Sequence, residues 1–344
     1  MIHRPLRLRL DGDTLASNWR WLNERSGTAA CGAAVKADAY GLGAREVVQR
    51  LTAAGCRDFF VATCAEAVEL EPLLGGASLS VLHGVFDEDV PTAFDSPARP
   101  VLNTPAQVAR WRSTGRPCDV MIDTGINRLG LTPDEVRSGI LDGVEIDTLH
   151  SHLACADEDV AANDRQRRSF EELCRPVPAR RRALSNSAGI CLGADYRFDL
   201  TRPGLALYGG IPRHEAEGHI RQVGRIEAQV IQRRRVAAGG SVGYNATWTA
   251  EQDCELAILN IGYADGYLRG FSGRGLARAD GAELPVIGRV SMDLTAISVD
   301  AAPQIGEGDW VELDFDLPTA SQQSGLSQYE LLTTLGSRFE RIWS

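Results

Sequence analysis

Lysine is almost missing from this 344-residue chain: of 36 basic residues, 35 are arginine and one, Lys36, is lysine. Lysine is ordinarily among the commonest residues. A coding preference that replaced it wherever only a positive charge was needed, sparing one residue by chance, is one account. The other is that arginine cannot do the work of position 36. Arginine stays protonated in proteins and is never an amine nucleophile, whereas a lysine tuned to a pKa of about 7 to 8 is appreciably neutral near pH 7. Lys36 is thereby a candidate for a chemical role.

Other absences narrow the class. The eight cysteines (31, 56, 64, 118, 155, 174, 191 and 254) include no C-x-x-C pair, which argues against a zinc site or a disulfide framework and suggests reduced, mostly buried thiols. No metal site is expected. No apolar run is long enough to cross a bilayer, and residues 1–15 alternate charge with leucine instead of forming a signal peptide, so no membrane role is expected and the cytoplasm is the expected compartment. There is no excess of positive charge. A formal net charge of -10 speaks against non-specific nucleic-acid binding, and the two basic runs, 180–182 and 233–235, lack interleaved aromatics and read as solvated faces. Internal repeats and low-complexity tracts are also missing.

What is present is ordinary globular composition, 44% hydrophobic and 24% charged, in a chain longer than one average domain. From about residue 11 to 220, short β-type runs alternate with helical patterns. Strands are expected at 30–35, 59–62, 79–82, 100–102, 120–123, 148–153, 182–184 and 205–208, and helices at 44–54, 64–74, 104–113, 133–141 and 160–174. Thr104-Pro105 and Thr132-Pro133 read as N-cap and first-turn pairs. Eight β-α units in some 210 residues make an α/β chain with a (β/α)8 barrel, expected over 10–221. Beyond about Gly224 the pattern becomes strands and Gly-rich turns, with a hairpin at Asp280-Gly281 and a closing helix near 327–335. A second, mainly β domain is expected over 222–344, with residues 1–9 packing on it.

The polar residues that stand out follow the expected barrel strands: Lys36, Tyr40, Asn103, Asp123, Arg128, His152, Asn186, Ser187, Arg202 and Gly204. Barrel enzymes build their sites at the C-terminal ends of several strands, so this scattered set converges on one candidate pocket.

The segment Ala34-Val35-Lys36-Ala37-Asp38-Ala39-Tyr40-Gly41 resembles the cofactor-lysine motif of the alanine racemase family, whose members depend on pyridoxal phosphate (PLP). The resemblance continues through Asp123-Thr124-Gly125-Ile126-Asn127-Arg128-Leu129-Gly130, Ser151-His152-Leu153-Ala154, Ser185-Asn186-Ser187-Ala188 and Arg202-Pro203-Gly204-Leu205. It extends to Val242-Gly243-Tyr244, Ile261-Gly262-Tyr263-Ala264-Asp265-Gly266 and Gly288-Arg289-Val290-Ser291-Met292-Asp293. The blocks keep the family's order across nearly the whole chain.

The resemblance implies that Lys36 holds PLP as a Schiff base and acts as one of two acid/base groups at Cα, Tyr244 of a neighbouring subunit being the other. Two bases on opposite faces are what racemisation needs, since each removes the proton the other delivers. Arg202 would face the pyridine nitrogen and His152 would pack near the ring and link to Arg202. Tyr40, Ser187 and the backbone of Gly204 and Leu205 would receive the phosphate. Arg128 would bind the substrate carboxylate, while Tyr263 and the neighbour's Met292 would narrow the entrance. A homodimer with shared active sites is implied.

Two departures stand out. Many relatives carry a carbamylated lysine seven residues before the arginine matching Arg128, and Met121 occupies that place here. Some offer the phosphate a tyrosine near the C-terminus, where this chain reads Gly336-Ser337-Arg338. A serine or broad-specificity racemase is the alternative within the family, because one hydroxyl or methylene is discriminated only modestly in a small pocket. A related barrel decarboxylase would set a carboxylate where Arg202 stands, and a non-catalytic PLP carrier would have no use for Tyr244.

Overall fold

A computed structural model describes residues 3–344; the first two residues of the expected N-terminal stretch lie outside it. Contacts divide the chain into two units, Thr14–Arg221 and a second made of the stretch through Asp13 with Gln222–Ser344.

In the first unit a seven-stranded parallel sheet runs Ala33–Ala34, Asp58–Val61, Ser78–Val81, Arg99–Leu102, Cys118–Met121, Ile146–His150 and Arg181–Ala183 in sequential order. An eighth strand closes it. Leu200–Thr201 pairs in parallel with Ala30–Cys31 and is tied to the seventh strand by Asp199 N–H to Arg182 O (3.0 Å) and Arg202 N–H to Ser185 O (2.8 Å). The expected last strand at 205–208 is instead a 3₁₀ turn, Leu205–Tyr208. Its four apolar residues are all buried, and burial by itself does not distinguish a strand from a short buried helix.

Between strands the chain forms helices where local chemistry starts them. Thr104 accepts from Gln107 N–H, and Thr63 with Glu66 and Thr132 with Glu135 form reciprocal capping boxes. The helices Pro105–Arg112 and Ala161–Cys174 bury Val108, Trp111, Phe170 and Leu173 in one cluster with strand residues Leu102, Val120 and Leu149. Each such side chain contributes about 1.5–3 kcal/mol on full burial.

Strand alternation then points the neighbours of those residues into the barrel, and there the lining is charged. Asp119, fully buried, accepts from Ser80 Oγ (2.5 Å), Arg99 Nε (3.1 Å) and Thr148 N–H (3.1 Å), with His150 Nε2 at 3.6 Å. The basic run 180–182 accordingly departs from a solvated face: the Arg181 side chain is only 14% exposed and pairs with Asp58 (2.8 Å) and Asp147 (3.0 Å). Carboxylates from the adjacent strand (Asp147) and from the second strand (Asp58), invisible in local sequence, draw it in.

In the second unit the long strand Gly224–Val236 serves two sets of partners. Its first half pairs with Trp310–Leu313 and with Leu6–Leu10; after a register shift between Val230 and Gln232 its second half pairs with Cys254–Leu259. The bulge thus turns the antiparallel sheet back on itself. Leu6–Leu10 also runs parallel to the C-terminal strand Glu340–Trp343. Asp280 and Gly281 both have positive φ (48° and 80°) and join Leu276–Ala279 to Ala282–Ile287, as a two-residue hairpin of this type requires. All eight cysteines are unpaired.

Asp119→Ala leaves Arg99 with Asp147 as its remaining carboxylate and takes the buried acceptor from Ser80 and Thr148 N–H, and is expected to cost about 3 kcal/mol, whereas Thr132→Ala removes one cap and costs about 1 kcal/mol. Urea midpoints compared with wild type test the pair; equal shifts would contradict the internal ion network.

Candidate active site

Immediately after the first barrel strand the backbone makes a left-handed turn. Ala37, Asp38, Ala39 and Tyr40 take φ of 53°, 52°, 53° and 56°, a conformation costing about 1–2 kcal/mol per L-residue. Carboxylates hold it. Asp38 Oδ1 accepts Ala44 N–H (2.7 Å), and Glu66 Oε1 accepts Ala37 N–H (2.7 Å) while Glu66 Oε2 accepts Ala62 N–H (2.7 Å) and Thr63 N–H (3.1 Å). The turn fixes where Lys36 leaves the strand and where Tyr40 comes back.

Lys36 adjoins the seam at which the barrel closes. Ala34 N–H donates to Pro203 O (2.8 Å), setting the Arg202-Pro203-Gly204 block beside the lysine strand. Arg202, buried, donates from Nη2 to Ser151 O (2.6 Å), and its Nη1 is buried with no hydrogen-bond partner. Its hydrogen bonds reach the Ser151 and Leu184 carbonyls and not His152. Asp199, three residues before Arg202, accepts Arg182 N–H and is not among the partners of the Arg202 guanidinium.

The charges on this face repel one another. Burial lowers the Lys36 amine below its ordinary 10.5, Arg128 and Arg202 lower it further, and Glu66 opposes them. Burial followed by Arg202, Arg128 and Lys36 pushes His152 down to about 3, so it is neutral near pH 7. Burial brings Arg202 down to about 10, with Asp119 opposing, and leaves it cationic at neutral pH. Lys36, Arg128, His152 and Arg202 therefore share one electrostatic neighbourhood at the barrel's C-terminal end.

Ser187 heads the short helix Ser187–Cys191, capped by Asn186, whose side chain accepts Gly189 N–H. Ser187 Oγ accepts Gly204 N–H (2.9 Å) and Ala206 N–H (3.2 Å), so its own proton points elsewhere. The Gly204 amide is thus engaged by Ser187. Position 204 must be glycine: a Cβ there would lie 2.3 Å from Tyr40 Oη. Tyr40 is buried with its ring 4.9 Å from that of Tyr208, which donates to Ala34 O (2.7 Å). Asn103, by contrast, spends its amide on Leu82 O and Val101 O and is a structural residue.

Arg128 rides a loop organised by Asp123. The Asp123 carboxylate accepts the N–H groups of Gly125, Ile126, Asn127 and Arg128 at 2.8–3.2 Å. Met121 is buried under this loop, its Cγ 2.9 Å from where a Cβ on Gly130 would be. With an apolar side chain in place of a lysine, the loop is set by four backbone hydrogen bonds to one carboxylate.

A group bearing phosphate, a ring nitrogen and a carbonyl carbon fits these residues: a buried guanidinium with an unused donor, a serine with an outward proton, a tyrosine against glycine and a lysine biased toward neutrality. Among the described residues no cluster suited to a metal ion occurs.

Family models for the N-terminal and C-terminal domains of alanine racemase match residues 10–212 and 223–343. The chain belongs to the alanine racemase family. It is 41% identical to the alanine racemase of Acidiphilium cryptum over 97% of this chain and 98% of that one. Identity to the biosynthetic alanine racemase of Agrobacterium fabrum is 40%, covering 98% and 93%. The crystal structure of alanine racemase from Bartonella henselae with covalently bound pyridoxal phosphate superposes with a TM-score of 0.93 at 33% identity, covering 99% of this chain and all of that one. The barrel and β-domain architecture is therefore that of the alanine racemase family.

The remaining expected site residues lie in the second unit. Tyr244 begins a 3₁₀ turn and is 66% exposed, Met292 is 53% exposed, and Tyr263 opens the turn Tyr263–Asp265 with Arg269 over its ring at 5.1 Å. Sequence reading missed Glu66. Its only signal, a T-x-x-E spacing, announces a helix cap and hides the second carboxylate oxygen that reaches the lysine turn.

Because Lys36 is the only lysine, amine labelling of the cofactor-free chain, read on the Lys36 peptide, should reach half its limit below pH 10.5, and lower again in Glu66→Gln. A midpoint at or above 10.5 would contradict the half-buried, cation-flanked site.

Proposed function

We propose that this chain interconverts L- and D-alanine with pyridoxal phosphate carried on Lys36, and that Tyr244 of a second copy supplies the other acid/base group. The observation that carries the reading is the pairing of the chain's single lysine, biased toward its neutral form, with a buried arginine that has a donor to spare.

When bound, PLP supplies an electron sink that acidifies the substrate Cα. Lys36 would hold it, Tyr40, the Ser187 hydroxyl and the Leu205 backbone would seat its phosphate, with the Gly204 amide spent on holding Ser187, and His152 and Arg202 would flank its ring. Arg202 donates and cannot accept a proton, so it would leave a ring nitrogen facing it unprotonated and would favour prompt return of the proton to Cα. Arg128 presents a planar fork to the substrate carboxylate from a loop fixed by Asp123. The Lys36 amine, biased toward its neutral form by burial and the neighbouring guanidinium groups, would take and return the proton on one face of Cα, and the Tyr244 hydroxyl would do so on the other.

The homodimer belongs to this reading. Tyr244 and Met292, both more than half exposed, are poorly placed for chemistry that needs excluded water unless another copy covers them. Eight unpaired cysteines fit a reducing compartment, and the cytoplasm is the compartment we propose. No helix among the described residues is long and apolar enough to cross a membrane.

Chiral analysis with L-alanine, L-serine and L-lysine side by side tests the substrate; preference for serine or lysine would overturn the alanine assignment. Tyr244→Phe is expected to lower turnover of L-alanine by about 10²–10⁴ with cofactor still attached. Lys36→Ala should lose the absorbance of the lysine-bound cofactor. Full activity in a strictly monomeric sample under dilution would defeat the shared-site reading.

A further inference from the structure

The segment Gly336-Ser337-Arg338 occupies the place where the family resemblance raised the expectation of a phosphate-binding tyrosine. In this chain it does something else. Arg338 donates from Nε and Nη2 to the two oxygens of Asp265 (2.5 and 2.6 Å) and from Nη1 to Asp293 Oδ1 (2.7 Å). One guanidinium thereby joins three segments: its own, the turn containing Tyr263, and the turn containing Met292.

Those two turns are packed backbone to backbone. Tyr263 N–H donates to Ser291 O and Ala264 N–H to Met292 O, both at 3.0 Å. A Cβ on Gly262 would sit 2.4 Å from each of those carbonyl oxygens, so the approach needs glycine. On the other side Gly336 N–H donates to Asp265 O (3.1 Å), and a Cβ on Gly266 would lie 2.6 Å from Thr334 O. The Tyr263 turn is therefore gripped between the Met292 turn and the 334–338 segment.

Asp265 is the centre of the grip. It is fully buried, and apart from Arg338 its carboxylate accepts only Gly262 N–H (3.0 Å) among the bonds described. A buried carboxylate deprived of its guanidinium is strongly disfavoured and draws in water or moves. Either response shifts the Tyr263 turn. The Asp293 arm differs: Arg338 and Asp293 are 46% and 50% exposed, so this arm adds little to stability and acts as a geometric restraint on the turn bearing Met292.

We propose that Arg338 is a positioning residue for the substrate entrances: it fixes the Tyr263 turn through Asp265 and, through Asp293, the turn whose Met292 the homodimer reading assigns to the neighbouring copy's entrance. The proposal rests on the racemase reading for the roles of Tyr263 and Met292. A planar fork is needed, because a single ammonium cannot bind both Asp265 oxygens and still reach Asp293.

The test is steady-state racemisation of L-alanine and L-serine by PLP-loaded wild type, Arg338→Gln, Arg338→Lys and Asp293→Asn, with melting temperature and bound-cofactor absorbance recorded for each. In Arg338→Gln the KM for L-alanine should rise about tenfold with kcat within about twofold. The alanine-over-serine ratio of kcat/KM should fall about tenfold, the scale on which a small pocket discriminates one group. Arg338→Lys should recover part of the loss, and Asp293→Asn should move the ratio the same way by less. Cofactor absorbance should stay at the wild-type level.

An unchanged ratio in folded Arg338→Gln overturns the proposal, as does a loss confined to kcat with the cofactor absorbance. If Arg338→Gln does not fold, Asp293→Asn decides: an unchanged ratio there overturns it equally. A wild-type chain that turns over no alanine removes the racemase reading itself, and the proposal with it.

Discussion

A half-buried amine among cations governs this molecule. Lys36 lies where burial and two guanidinium groups, Arg128 and Arg202, all favour its uncharged form, and Glu66 is the one carboxylate that opposes them. The strained turn at 37–40, the closing seam of the barrel and the arrangement of the anion-binding groups can each be understood as keeping that amine in place. Left-handed backbone at four successive L-residues persists only where its surroundings over-determine it. Here Asp38 and Glu66 supply the anchors, and Glu66 links the turn to the next β-α unit as well.

The closing strand has only two residues, and the candidate site lies directly beyond its end. Arg202, Pro203 and Gly204 come immediately after Leu200–Thr201 and bond to the strands on either side. Closing the barrel thus brings the candidate site residues after the last strand next to the first strand's lysine, with Ser187 reaching across from the preceding unit. Farther down the interior, Asp119 tempers the Arg202 guanidinium, so the charged barrel lining and the site are electrostatically continuous.

Much of this was legible in the sequence where the determinants are local. The helix Ala44–Ala54 and the caps at Thr104 and Thr132 come from apolar spacing and side-chain chemistry within a few residues. The oddity of a single lysine, and its place at a strand end, pointed to the site before any fold was available. Determinants that depend on distant segments were hidden. Leu200–Thr201 is too short to announce itself, and the buried run at 205–208 suggests a strand it does not form. Arg181 looked solvated because Asp58 and Asp147 are remote in sequence. Asp123 is recognisable as a polar strand-end residue, yet its hold on four successive amides appears only in three dimensions. Arg338 stood out for lacking a tyrosine, and its own bonds to Asp265 and Asp293 span 45 to 73 positions.

The central claim is that two groups on opposite faces of Cα exchange its proton, one of them Lys36. Incubating the PLP-loaded protein with L-alanine in heavy water tests it most directly. The D-alanine formed in the first turnovers should carry deuterium at Cα, delivered by the group opposite the one that removed the protium, with no carbon dioxide or keto acid released. Protium retained in that D-alanine, as one group removing and returning the same proton gives, or no racemisation at all, would contradict it.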